Sequence, residues 1–596
     1  MSAIAVMRSR SGPGDPTVVD AMLAASPHRG IPSGAVTVGS VALGVSDEPD
    51  LADAGLTSDG QVGVAFAGTI DNLGELASLA DLGDRPPTPA DAATVLLATF
   101  RRVREDLPLL LRGSYAIAVT DGTTLWTFRD HLGMGTLFYR DDRTAFYAAS
   151  EAKQVVAGAG IALEPDLDVL EAIFYSEYDD GTPSALRGVR RLPKAVLMRA
   201  HPEGAHHRRY WIPERLIETA RFDPGELADR FHALMGQAVS RTLGGDDVIA
   251  LSGGIDSPAL AAYAAPAHAQ RTGEPLAALS AVYPHMPSCD ESEYIDIVAQ
   301  DLGLRSHTFV RGRPSLDGLQ EWVRLFDGPA PQWTVSQGEE FHREARRLGF
   351  RTIMTGEVAE FVIDARHHVL DHYLFAARGR AVVAYLRDQR ARGTTWKVLA
   401  KETAAAFAPR WALGAYLRAR HPKDVFRPDW LDPQPALERP HYRSYLQPPR
   451  RRWIEGQLTG FNGPGLSVEA DSVAQQVAGV RTRRPWADVD LWEFFLSLRA
   501  EVKFPTADSK GLVRSLLRGR VPDAILDRTD KTHFNEYVMT SIDYPGLRKW
   551  LTDPAYRVRG VRYERLADRL DAEDLTLYDF IWARDLAAVH AFLALW

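Results

Sequence analysis

Cysteine occurs once in the 596 residues, at Cys289, which rules out an intramolecular disulfide and any cluster of thiolate metal ligands. Asp290 and Glu291 follow it directly and oppose a thiolate, so a packing role is expected rather than a nucleophilic one. Long apolar runs are missing too. None is long enough to cross a bilayer, and the opening Met1-Ser-Ala-Ile-Ala-Val-Met-Arg8 lacks the basic flank and extended apolar core of a secretion signal, so a cytoplasmic location is expected. Neither sign of charge is in large excess: the formal net charge is -9, which gives no reason for wholesale binding to nucleic acid or membrane. Internal repeats and long low-complexity tracts are absent as well. What remains is a globular composition in a chain long enough to need at least two cores.

Up to about residue 210, short apolar runs alternate with Gly, Asp and Pro. Gln61 to Phe66, Ser114 to Val119, Thr124 to Phe128 and Ala145 to Ala149 read as strands of a mostly antiparallel sheet region. Asp223-Pro-Gly-Glu226 then supplies an N-cap, a first-turn proline and an acid at the third helical position, with Leu227, Phe231 and Leu234 on one face of the helix that follows. The boundary therefore falls between Trp211 and Asp223, giving domains 1–212 and 213–596. Beyond it, strands (Val248 to Leu251, Leu276 to Val282, His307 to Val310, Thr352 to Thr355) alternate with helices (Glu291 to Leu302, Gly338 to Leu348). That order predicts an α/β fold with an open parallel sheet whose ligands sit beyond the carboxyl ends of the strands. From about residue 365 the chain turns helical and Arg-rich.

One of those carboxyl ends carries the most informative stretch. The apolar run ending at Leu251 empties into Ser252-Gly-Gly-Ile-Asp256-Ser257, and a helix starts at Pro258. Gly253 and Gly254 let the backbone approach an anion, Ser252 and Ser257 offer hydroxyl donors, and the helix start adds its positive dipole end. Asp256 inside such a cradle would repel phosphate without a cation between them, which implies Mg²⁺. No Lys follows the glycines as in a Walker A loop, and the pattern is not a dinucleotide Gly-x-Gly-x-x-Gly turn.

Two other segments invite binding roles. Asp364, His368 and His372 stand a helical turn apart, but without a third anchored ligand a polar helix face on the acceptor side is preferred to zinc. The segment from Arg378 to Arg452 mixes cations with Trp396, Trp411, Tyr416 and Trp430; with an acidic chain and no nucleic-acid module, helix surface or peptide docking is preferred.

The loop resembles the PP-loop of the ATP pyrophosphatases, which split ATP between its α and β phosphates. The resemblance extends almost end to end, to the asparagine synthetase superfamily. His28-Arg-Gly30, Gly68-Thr-Ile-Asp-Asn72, Leu111-Arg-Gly-Ser-Tyr-Ala-Ile-Ala118, Arg129-Asp-His-Leu-Gly133, Ser150-Glu-Ala-Lys153 and Gly188-Val-Arg-Arg-Leu-Pro193 match landmarks of that family's glutaminase domain, an Ntn-hydrolase-like sandwich. Three positions depart from it: Ser2 stands where a working domain has its nucleophilic Cys, and Ala67-Gly68-Thr69 replaces the Asn-Gly-Glu that holds glutamine. An inactive glutaminase domain is expected, although a hydroxyl nucleophile with an N-terminal amine is known chemistry.

In the second domain, Asp290-Glu-Ser292, Thr355-Gly-Glu-Val-Ala-Glu360, Arg484-Pro-Trp486, Lys510-Gly-Leu-Val-Arg514 and Arg528-Thr-Asp-Lys531 match the synthetase landmarks, with Glu360 where most members have Asp. The resemblance implies a PP-loop nucleotide-hydrolase-like domain using ATP and Mg²⁺. In it, Leu251 and Gly356 hold the adenosine part, and Ser252, Gly253, Gly254 and Ser257 hold the pyrophosphate. Lys531 contacts the phosphates, Asp256 and Glu360 bind Mg²⁺, and Glu357 orients or deprotonates the incoming amine. Val489 to Leu498, Glu501 to Pro505 and Arg518 to Asp523 are similar to the lasso peptide macrolactam synthetases. That branch implies a ribosomal precursor peptide as substrate, with a leader-binding protein and a leader peptidase as partners, and neither nucleic acid nor membrane. An ammonia-dependent asparagine synthetase and a β-lactam synthetase relative stay open as enzymes. A non-catalytic peptide-binding pseudoenzyme also stays open, because of the altered Gly356 to Glu360 segment.

Overall fold

A computed structural model describes residues 2–596 apart from 49, 50, 52, 84, 314, 330–334, 420–425, 434–443, 445, 463, 464, 507 and 529. The N-terminal part is built on two six-stranded sheets whose paired strands are all antiparallel. Alternation along the strands gives each sheet one apolar inner face, and the two faces share a core: Ile4, Val6 and Leu43 from one pack with Ala65, Ala118 and Met198 from the other. Helices Pro16–Ala24 and Ala152–Ala159 cover one outer face, and helix Ala92–Val103 the other. This is the layered sandwich of an Ntn-type domain.

The expected strands are present, three with shifted ends, as Gly63–Ile70, Gly113–Thr120 and Leu125–Arg129, and one as expected, Ala145–Ala149. The first three are neighbours in one sheet, whereas Ala145–Ala149 pairs with Ala3–Ser9 in the other. Which sheet a strand joins depends on partners distant in sequence, so its own alternation is silent on that choice.

Asp223 caps helix Pro224–Thr242 by accepting from the Glu226 amide, and the helix buries Leu227, Phe231 and Leu234. The C-terminal part then forms a five-stranded parallel sheet in the order Arg305–Val310, Ala277–Val282, Asp247–Ala250, Thr352–Met354, Arg481–Arg483. Successive strands are laid to one side of Asp247–Ala250 and then, from Thr352–Met354, to the other. The order therefore reverses between those two strands, which is where an open α/β sheet leaves its ligand crevice. The loop 251–257 and the turn 355–358 both open at that point.

The edge strand Arg481–Arg483 is not among the sequence expectations, since three residues with two arginines carry no strand pattern. Its arginines belong to the interface between the two parts. Arg483 pairs with Asp71 at 2.5 Å, Arg112 with Asp490 at 2.8 Å, and Lys153 with Asp327 at 3.1 Å. Cys289 is buried, and Trp430 is buried too, donating to Asp579 at 2.9 Å; Trp430 therefore leaves the set of surface aromatics named from sequence. No helix among the described residues is long and apolar enough to cross a membrane.

Candidate active site

Strand Asp247–Ala250 is held at its end by the Leu251 amide, which bonds the carbonyl of Leu279 on the neighbouring strand at 3.0 Å. The chain then turns, and the two serines close the turn. The Ser252 amide donates to Ser257 Oγ at 3.0 Å, and the two hydroxyl oxygens lie 3.1 Å apart. A Cβ at Gly253 would stand 2.9 Å from the Arg528 guanidinium and from Tyr294 Cβ, so this position has no room for a side chain. At Gly254 the nearest atom would be Ser252 Oγ at 3.5 Å, so that side of the loop is open. Gly356 meets the loop from the adjacent strand end: a Cβ there would lie 2.9 Å from the Ser257 amide nitrogen and 3.0 Å from Asp256.

Asp256 is the first residue of helix Asp256–Thr272. One carboxylate oxygen is ion-paired with Lys510; the other is buried and has no hydrogen-bond partner among the described residues. Burial pushes this carboxyl up and Asp364 adds to the effect, while Lys510 and Lys531 oppose it. Asp364 itself accepts from Arg366 at 2.5 Å, from Ser509 Oγ at 2.6 Å and from the Lys510 amide at 3.3 Å. A buried carboxylate oxygen with no proton donor, beside a second acid, is the hard-oxygen donor set that Mg²⁺ takes, so the residues fit the ion. Glu360 lies exposed at the start of helix Ala359–Ile363, and Asp364 is an acid whose charge reaches Asp256. Lys531 is exposed, and its charge also reaches Asp256.

Glu291 closes the other side. It accepts from the Gly253 amide at 3.0 Å and pairs with Arg528 at 2.9 Å; Arg528 also donates to the Gly253 carbonyl at 2.8 Å and lies 4.0 Å over the Tyr294 ring. Glu357 pairs with Arg484 at 2.7 Å, and this buried arginine is held charged by Asp471 and Glu357 against the effect of burial. Glu357 remains 56% exposed, so one face of its carboxylate is open to an incoming group. Lys510, Arg528, Glu291 and Arg484 are site residues that sequence reasoning did not assign, and Asp364 enters that reasoning only as part of a polar helix face with His368 and His372. Each lies inside or next to a recognisable segment, but no spacing singles it out from its neighbours.

Next to this centre is a cavity of about 760 Å³ whose lining includes Arg366, Tyr373, Arg378, Tyr385, Glu501 and Phe504. Arg366 connects the two: it pairs with Asp364, donates to the Thr506 carbonyl at 2.9 Å and stacks 5.2 Å from the Phe504 ring. Glu218 anchors the 499–504 wall, accepting from the Ala500 amide at 2.8 Å and from Arg378 at 2.7 Å and pairing with His372 at 3.0 Å. Although burial opposes it, His372 and Arg378 hold the Glu218 carboxyl down at about 2. His372 stacks on Trp453 at 4.2 Å, so it is a packed interior group, and no group of three or more His, Cys, Asp or Glu placed to hold a metal occurs among the described residues. Lys503, behind the wall, donates to Gln457 at 3.0 Å, and burial brings its ammonium down to about 7.

In the N-terminal part, Ser2 is buried and its hydroxyl is committed to carboxylates, 2.9 Å from Asp47 and 2.5 Å from Asp53. Gly68 has φ +115°, and a Cβ there would overlap the Ser114 carbonyl oxygen at 2.1 Å. Ala67 has no polar side chain, and the Thr69 hydroxyl is engaged by Asp71.

Fold and site together define a glutamine amidotransferase-type domain joined to an ATP-dependent amidating synthetase domain. Residues 1–211 match the glutamine amidotransferase domain model, and residues 230–577 match that of asparagine synthase. The chain belongs to the asparagine synthase family. Over 483 residues it is 26% identical to the glutamine-hydrolyzing asparagine synthetase 3 of Bacillus subtilis (strain 168), covering 77% of this chain and 72% of that one. Among solved structures it is similar to a B. subtilis glutamine phosphoribosylpyrophosphate amidotransferase complexed with ADP and GMP, at 14% identity and a TM-score of 0.27, covering 53% of this chain and 82% of that one. A glutamine aminotransferase class-II domain protein from Silicibacter pomeroyi matches at 16% identity and a TM-score of 0.20, over 35% of this chain and 98% of that one.

Proposed function

We propose that this enzyme adenylates an Asp or Glu side chain of a leader-cleaved precursor peptide and couples it to that peptide's own N-terminal amine, as a macrolactam synthetase does. The observation that carries the reading is the cavity of about 760 Å³ beside the PP-loop, a volume suited to a ligand far larger than one amino acid. The commitment of Ser2 to Asp47 and Asp53 supports it from the other side, because an amine donor other than glutamine is then required. A leader-binding protein and a leader peptidase are the partners this reading calls for.

In the reaction, an oxygen of the substrate carboxylate attacks the α phosphorus of ATP, the bond to the β phosphate breaks, and pyrophosphate leaves. The loop amides, Ser252, Ser257, Lys510 and Lys531 stabilise the charge that grows on the departing group. Asp256, with Asp364 or Glu360 as second acid, would hold Mg²⁺, which when bound neutralises phosphate charge. The amine then attacks the activated carbonyl carbon and AMP leaves. Glu357, fixed by Arg484, orients the amine and takes its proton; with a free pKa of about 8 the ammonium needs only a mild base. Holding amine and carboxyl of one peptide together supplies a high effective concentration.

Incubation with ATP, Mg²⁺ and a synthetic linear peptide bearing a free N-terminus and an internal Asp or Glu tests the reading. The expected products are AMP and pyrophosphate in equal amounts and a peptide lighter by one water. ATP turnover with free aspartate and ammonia only, and none with peptides, would replace this reading with a plain asparagine synthetase.

A further inference from the structure

The helices Gly379–Ala391, Trp396–Phe407 and Arg410–Ala419 differ from the rest of the surface in two respects at once. The first is charge. Arg380, Arg387, Arg390, Lys397, Lys401 and Arg410 are exposed here, against Asp388 and Glu402, on a chain whose formal net charge is -9. The second is apolar exposure: Trp411 is 77% exposed, Trp396 61% and Phe407 59%, with Val383 and Val398 also in solvent. Helix Gly379–Ala391 has no buried residue. Surface aromatics are ordinary one at a time; three of them exposed on two successive helices among several exposed cations mark an interaction surface.

Its position says what covers it. Arg380, Ala384 and Asp388 of the first helix also line the 760 Å³ cavity, and Arg366 of the same cavity is the ion-pair partner of Asp364 beside the PP-loop. The first of these helices therefore borders the cavity that adjoins the PP-loop centre. A chain with one end in the cavity would emerge across these helices. Nucleic acid and anionic bilayers meet the same cations, but the acidic chain as a whole, formal net charge -9, repels both, and a bilayer has no segment to place in that cavity.

We propose that helices Gly379–Ala391, Trp396–Phe407 and Arg410–Ala419 form the docking surface for an acidic, apolar-bearing segment of the polypeptide substrate; this rests on the peptide-ligase reading. Carboxylates of the segment pair with Arg387, Arg390, Lys397 and Lys401. Its apolar side chains pack on Trp396, whose ring is already backed by Arg390 at 5.3 Å, and on Phe407, which is braced by Phe375 at 5.2 Å.

Fluorescence anisotropy with the full chain tests this, using a labelled synthetic peptide that alternates Glu with Leu and Trp, and its Lys-for-Glu counterpart. The Glu peptide is expected to bind, to weaken with added salt, and to lose at least about tenfold in affinity both in a R387E/R390E/K397E/K401E variant and in a W396A/W411A variant. The Lys peptide is expected not to bind. These positions are exposed, so the variants should fold as the parent does. Binding of the Glu peptide that is equal in parent and both variants overturns the proposal. So does preferential, Trp-dependent binding of a single-stranded oligonucleotide or of phosphatidylserine vesicles.

The ligase reading is separated by Asp256→Ala, which should abolish pyrophosphate release while leaving Glu-peptide binding intact. Peptide-dependent pyrophosphate release with unchanged KM in the charge-reversed variant would remove the docking surface and leave the ligase reading standing.

Discussion

Arg528 is the residue on which the shape of the phosphate loop most depends. One nitrogen donates to the Gly253 carbonyl at 2.8 Å and to Glu291 at 2.9 Å, another bonds Thr532, and the guanidinium plane covers Tyr294 at 4.0 Å. Glu291 in turn holds the Gly253 amide at 3.0 Å. In Arg528→Ala the Glu291 carboxylate, 13% exposed, faces the loop without its counter-charge. Breaking a buried pair from one side costs about 3–5 kcal/mol, and the residual exposure of Glu291 puts the expectation near the lower end. Arg528→Lys keeps the charge but loses the planar fork, so it serves one partner where Arg serves three; about 1–2 kcal/mol should be lost.

Hydrogen exchange at the amides of residues 251–257 reads this locally. A loss of 3 kcal/mol is about a hundredfold faster exchange, and about tenfold is expected for the lysine variant. Equilibrium binding of ATP with Mg²⁺ should weaken in the same order. If Arg528→Ala leaves both loop exchange and ATP affinity within about twofold of the parent, the strand end and the two serines alone shape the loop, and the role given to Arg528 and Glu291 is wrong.

Three further outcomes follow from the same geometry. Ser2→Cys should release no glutamate from glutamine, because the introduced thiol would face Asp47 and Asp53, which disfavour a thiolate, and the glutamine-holding turn is still missing; glutamate above the enzyme-free blank would refute this. Gly356→Ala should lose about 1–3 kcal/mol of stability and at least about tenfold in pyrophosphate formation, since its Cβ meets loop backbone at 2.9 Å; Gly254→Ala, with nothing nearer than 3.5 Å, should leave the melting temperature unchanged. Glu218→Gln should narrow the acid sensitivity of the fold. The Glu218 carboxyl is held at about 2, below its ordinary value, so its contribution is fully present above about 4.5 and lost as pH falls toward 2. Denaturant midpoints should therefore show parent and variant separated by on the order of 3 kcal/mol at pH 6, by about half of that or less at pH 3, and converging only toward pH 2, whereas a gap that stays constant with pH would contradict the assignment.

Much of this arrangement was legible in local sequence. The Asp223 cap, the antiparallel runs up to residue 210 and the alternation of strands and helices after it all rest on contacts within one element or between consecutive ones. Strand ends moved by a few residues, because a strand stops where its partner stops pairing. The edge strand Arg481–Arg483 had no such signal: it is a strand only because Thr352–Met354 offers it hydrogen-bonding groups, and its arginines are tolerated because Asp71 meets one of them across the interface. Trp430 looked like its exposed neighbours Trp411 and Tyr416, yet Asp579 takes its indole N–H in the interior.

Sequence by itself determined the turn from Leu251 to Ser257: its glycines, hydroxyls and helix start lie within seven consecutive positions, so their chemistry is set by covalent spacing. Only the tertiary structure decided which charges face it. Lys510 meets Asp256 across 254 residues, Arg528 reaches Gly253 across 275, and the charge of Asp364 reaches Asp256. Such pairings are made by the packing of separate elements, and the chain between them carries no record of the distance that folding will close.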